Sequence, residues 1–86
     1  MPTISWFLGI AIQMYYDDRP PPHIHVKYNE HRARFAIETG ELLSGSLPAR
    51  ARRLVQERIG LRRAELAANW RRMETGEQME RIEGLE

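Results

Sequence analysis

The sequence predicts an α+β domain of two layers: a small antiparallel sheet of three to four strands, covered on one face by one long C-terminal amphipathic helix. Three observations predict it. From Ile4 to Tyr16 the even positions are all apolar or aromatic, while the odd ones are mostly small or polar. Residues 23–28 and 31–38 alternate in the same way around a short polar turn. From Pro48 to about Met73 the apolar residues recur with a helical period.

The first alternating stretch carries Ile4, Trp6, Leu8, Ile10, Ile12, Met14 and Tyr16 on one side. Gly9 interrupts it as a bulge or break, which leaves a short N-terminal piece and a better strand over 10–16. Asp17–Pro22 is a loop by residue chemistry, since it holds Asp17, Asp18 and three successive prolines. In the hairpin that follows, a turn at Tyr28-Asn29-Glu30-His31 pairs Lys27 with Arg32, Val26 with Ala33, His25 with Arg34 and Ile24 with Phe35. That register segregates the side chains: Ile24, Val26, Ala33, Phe35 and Ile37 fall on one face, and His23, His25, Lys27, Arg32, Arg34 and Glu38 on the other. A slip of one residue would mix the two sets.

Thr39-Gly40-Glu41 reads as a turn, and Leu42–Leu47 as a further short strand interrupted near Gly45. Pro48 suits the opening of a helix, with Ser46 nearby as a capping residue. Ala51, Leu54, Val55, Ile59, Leu61, Leu66 and Trp70 then share one arc of that helix. The apolar phase continues across Gly60, so one helix is expected, ending at Thr75-Gly76. The helix covers the apolar face of the sheet, which leaves the His/Lys/Arg face open. Residues 1–76 form the single domain in this reading, and 77–86 a flexible acidic tail whose final Leu85-Glu86 resembles a cloning remnant.

Composition bounds the function. The 86 residues include no cysteine, so thiolate chemistry and disulfides are excluded. No apolar run approaches a membrane span and no signal segment opens the chain, which points to the cytoplasm. A chain this short buries only roughly 60% of its unfolded surface, so self-association or a partner protein would be the usual extra support. The net charge of +1 hides a partition: residues 1–47 carry −1, residues 48–72 carry +6 and residues 73–86 carry −4. Twelve of the thirteen basic residues are arginine, the side chain suited to bidentate carboxylate or phosphate contacts.

Residues along the whole chain resemble a known family. Met1-Pro2-Thr3-Ile4, Met14-Tyr15-Tyr16-Asp17-Asp18, Pro21-Pro22-His23-Ile24-His25-Val26, Thr39-Gly40-Glu41, Gly45-Ser46-Leu47-Pro48 and Asn69-Trp70 are similar to a small bacterial domain of unknown function, family 4160. The resemblance implies a cytoplasmic bacterial protein that acts with a small partner encoded beside it, in units suspected to be toxin–antitoxin pairs. It implies no activity and no catalytic residues.

The residues themselves nominate three constellations. His23 and His25 lie two apart on a strand, so both imidazoles share a face. With Asp17 or Asp18 folded back across the proline loop they could form an acid–base site or hold a metal, His31 being a more distant third histidine. The alternative is a structural or partner-binding role. Lys27, Arg32 and Arg34 form a cationic face whose like-charge pairs destabilise a sheet, which calls for an anionic counterpart. Arg58 and Arg62 fall inside the apolar arc of the helix, where they must snorkel, pair with sheet carboxylates or line a site. No cofactor motif is present. A basic helix without a separate reading helix supports at most weak, nonspecific nucleic-acid binding. A binding module is therefore the leading expectation, and a small nuclease or other hydrolase the rival.

Overall fold

In the computed structural model, which describes residues 3–82, five strands lie in chain order across one antiparallel sheet. They are β1 (Thr3–Phe7), β2 (Ile10–Gln13), β3 (His23–Tyr28), β4 (His31–Ala36) and β5 (Leu42–Gly45). Helices α1 (Ala49–Leu61) and α2 (Arg63–Thr75) pack their buried residues against one face. The α+β class is as expected. The sheet has five strands rather than three to four, and two helices replace the single long one.

The extra strand comes from the N-terminal stretch, which folds into a hairpin. Phe7 faces Ile10 across a two-residue turn, with Leu8 at φ 50° and Gly9 at φ 78°. Two positive φ values in succession give the hand of turn that matches strand twist. Gly9 is thus a turn residue, not a bulge. The bulge lies earlier, between Thr3 and Ser5. One added residue reverses the facing of everything after it. Ile4, Ser5 and Phe7 are therefore buried, whereas Trp6 is 54% exposed. β2 ends at Gln13, short of the expected Tyr16.

The β3–β4 hairpin has the expected register, from Lys27 opposite Arg32 to Ile24 opposite Phe35. Its apolar residues Ile24, Val26, Ala33 and Phe35 are buried in the core. β5 pairs beyond them, and Gly45 there has φ 80°. A Cβ on Gly45 would collide with the Arg32 carbonyl and stand 2.8 Å from the Ala33 Cα, so only glycine fits this close crossing.

Pro48 occupies the N-cap of α1 with no side-chain cap, so Ser46 does not cap it. The helix passes through Gly60 and breaks at Arg62, where φ −116° and ψ 22° leave the helical region. The buried stripe runs through Ala51, Val55, Arg58 and Ile59 of α1 and Leu66, Asn69, Trp70 and Met73 of α2. Leu61 was expected in the core but is 65% exposed, and Leu54 is only partly buried. Both sit at the margin of the stripe, whose middle is occupied by Arg58 and Asn69. Gly76 closes α2 in a left-handed conformation, its N–H reaching the carbonyls of Arg72 and Met73.

Residues 77–82 are not the loose tail read from their charge. Met79 and Ile82 are buried in the core. The Ile82 N–H donates to the Ile4 carbonyl at 2.6 Å, beside β1. Fully buried Asn69 donates to the Glu80 carbonyl at 2.7 Å and accepts from the Glu80 N–H at 2.9 Å. The Tyr16 hydroxyl donates to the Glu77 carbonyl and accepts from the Met79 N–H. Leu85-Glu86 lie outside the described residues. Among the described residues, no helix is long and apolar enough to cross a membrane.

Candidate functional site

The sheet face away from the helices is built by register. Trp6, Ala11, Lys27 and Arg32 stand opposite one another across β1 to β4. The neighbouring row is Gln13, His25, Arg34 and Ser44 across β2 to β5. Arg34 Nε donates to Ser44 Oγ at 2.8 Å, which braces the guanidinium along the sheet. A shallow groove of about 260 Å³ runs over these rows, lined by Gln13, Tyr15, His25, Lys27, Arg32 and Arg34 among others. Among the described residues, no carboxylate pairs with Lys27, Arg32 or Arg34. Glu80 pairs with Arg72 at 3.6 Å instead, on the helical side.

Of the histidine pair, His25 lines this groove. Asp18 is placed beside His25 by a local turn: its N–H donates to the Tyr15 carbonyl at 3.1 Å, and its Oδ2 accepts from the Tyr15 N–H at 3.0 Å. Oδ1 is thereby turned to the imidazoles, 2.9 Å from His25 Nε2 and 3.7 Å from His23 Nε2. The two rings lie 5.0 Å apart. Tyr15 packs edge-on against His25 at 4.5 Å and donates its hydroxyl to Gln13 Oε1 at 2.9 Å.

The two histidines differ in access. His25 retains 26% of its side-chain exposure at the groove, as expected for the open face. His23, expected on the open face, is instead buried, with the ring of Trp70 of α2 against it at 5.4 Å. His23 Nδ1 lies 2.8 Å from the Pro21 carbonyl.

The structure thus brings together Asp18, His23 and His25, and separately Lys27, Arg32 and Arg34. Asp17 is exposed and outside the cluster. His31 stacks on Tyr28 at the far end of the hairpin. Arg58 and Arg62 do not join the open face. Arg58 is buried under the helices with its guanidinium 4.8 Å above the Phe7 ring, and Arg62 pairs with Glu65 on its own side of the molecule. Trp6 and Tyr15 are site residues missed by sequence reading. The bulge that turns Trp6 outward leaves no mark in the alternation, but the break after Gln13 could have freed Tyr15 from the strand pattern.

A family model matches residues 9–71, from the first turn to near the end of α2. The chain belongs to the family described as Domain of unknown function (DUF4160). The matched segment of this DUF4160 chain contains Asp18, both histidines of the cluster and the cationic rows, but not Trp6. No curated protein and no solved structure matches the chain.

Proposed function

We propose that this DUF4160 protein is a binding module whose working surface is the open sheet face. Its partner is a small acidic protein encoded beside it, the two forming a toxin–antitoxin or regulatory pair in a bacterial cytoplasm. The observation that carries this reading is the uncompensated cationic row. Lys27 and Arg32 face each other across two strands, a like-charge arrangement that costs sheet stability. Among the described residues of the acidic segment, Glu80 is engaged with Arg72 on the helical side. An anionic counterpart from outside would offset that cost, and the exposed Trp6 beside it is the kind of aromatic anchor that dominates interfaces. The neighbouring-gene context comes from the family resemblance.

The test is titration of the purified neighbour-encoded protein. Reversing both charges (Lys27→Glu with Arg32→Glu) is expected to weaken binding at least tenfold, about 1.4 kcal/mol. Arg71→Glu, on the exposed side of α2, leaves it unchanged. Single-stranded RNA is expected to bind the same face weakly and to lose affinity steeply with salt. Tight, sequence-selective RNA binding at high salt would overturn the protein-partner reading, as would a double variant that binds the neighbour normally.

One observation favours a second reading. The Asp18–His25 hydrogen bond of 2.9 Å has the form of an oriented general acid–base pair at the edge of a cationic groove. A small nuclease or other hydrolase built on it would cleave a phosphodiester or ester probe, and Asp18→Asn would lower the rate by roughly 10²-fold or more. Wild-type turnover no faster than that of the variant rules this reading out.

A further inference from the structure

We infer that Asp18, His23 and His25 form a binding site for a divalent transition-metal ion of the zinc type, with one coordination position open to the groove. The inference is independent of the partner-binding reading. The ligand atoms of the three side chains all lie within 4.8 Å of one another. A tetrahedral zinc site with bonds of about 2.0–2.1 Å places its ligand atoms roughly 3.3 Å apart. Asp18 Oδ1 is already 2.9 Å and 3.7 Å from the two Nε2 atoms, so small side-chain rotations close the set.

The hydrogen bonding around the cluster is that of a ligand set. The Pro21 carbonyl can only accept, so His23 Nδ1 carries the proton. In the neutral ring the Nε2 lone pair is then directed at the cluster. A backbone carbonyl that holds the far nitrogen in this way is the usual support for a metal-bound histidine. Tyr15 performs the matching service for the carboxylate, since its N–H holds Oδ2 and leaves Oδ1 free. In the neutral form of His23, its Nε2 lone pair and the Asp18 carboxylate face each other in a largely buried site, with side-chain exposures of 5% and 9%. A bound ion satisfies both. It would displace the proton by which His25 Nε2 now donates to Asp18.

The donor set also selects the ion. Two imidazoles and one carboxylate suit zinc, cobalt, nickel or ferrous iron and disfavour calcium and magnesium, which require oxygen ligands. Trp70 and the proline loop close the cluster from behind. The exposed edge of His25 leaves the remaining position on the groove side, as in sites that exchange a water or an anionic ligand.

Cobalt(II) and zinc(II) serve as probes of the metal-free protein. Wild type is expected to take up one equivalent of Co²⁺, with visible d–d absorption of low-coordinate cobalt that Zn²⁺ bleaches and Mg²⁺ does not. His25→Gln, at the half-exposed position where folding is least at risk, is expected to weaken Co²⁺ binding at least tenfold. His31→Gln leaves it unchanged. Histidine ring NMR signals report the same event without relying on the variants: the ring resonances of His23 and His25 move with Zn²⁺, and those of His31 do not. Wild type without a stoichiometric cobalt spectrum, zinc shifts confined to His31, or a His25→Gln protein that binds normally would each overturn the assignment.

Discussion

Phe35→Ala is expected to cost about 3–5 kcal/mol of stability, a large share of what a domain this small has. Phe35 is fully buried on β4, opposite Ile24 on one side and Leu42 on the other. It belongs to the core that joins the sheet to both helices. Truncating a buried phenylalanine costs about 3–5 kcal/mol, the lost transfer energy adding to that of the cavity. A domain of this length has only about 4–13 kcal/mol to lose. Urea and thermal unfolding of the variant should show about 3–5 kcal/mol of that stability gone. Leu61→Ala provides the contrast, because Leu61 is 65% exposed and its truncation should cost about 0.5 kcal/mol or less. Equal losses in the two variants would mean that the helices do not pack as described.

The second large effect is expected at Asn69. Its side chain is fully buried, and both of its polar ends are used: the amide donates to the Glu80 carbonyl, and the oxygen accepts from the Glu80 N–H and from Arg72 at 2.8 Å. Asn69→Leu keeps the branching at Cγ, with bulkier methyl ends, and removes every one of these bonds. Leaving the Glu80 groups unpaired in a part-buried setting costs on the order of 2–4 kcal/mol if they stay in place. The alternative is that 77–82 detaches and exposes Met79 and Ile82. Hydrogen exchange distinguishes this from global loosening: the amides of Met79, Glu80 and Ile82 should lose protection first, with β3 and β4 still protected. Unchanged protection at Glu80 would remove Asn69 from the role of clip.

That clip shows how far sequence reading reached. Asn69 stands eighteen positions after Ala51, about five helical turns, and so shares its angular position in the buried stripe. The stripe could have been centred there. Hydropathy alone centres it on the leucines, which places Leu61 in the core, whereas Leu61 is 65% exposed. The acidic composition of 77–82 argued for solvent. Its backbone, however, finds partners in Asn69, Tyr16 and Ile4, and its two apolar residues are enough to anchor it.

For the site, alternation along Ile24–Lys27 and Arg32–Phe35 sufficed to pair the strands and to sort the cationic row from the core, because a shift of one residue would have buried charge. The side that His23 and His25 share followed from the same period. Local chemistry thus determined the class of fold, the β3–β4 register, the open face and the candidate carboxylates beside the proline tract. Only the tertiary structure decided that Asp18 rather than Asp17 meets the histidines, that Trp70 buries His23 but not His25, that Trp6 joins the open face and that Arg58 and Arg62 do not. Each of these depends on the path of a turn, a bulge or a helix break. There the backbone direction is set by long-range packing and hydrogen bonds between segments far apart in sequence, and periodicity within a segment carries no record of it.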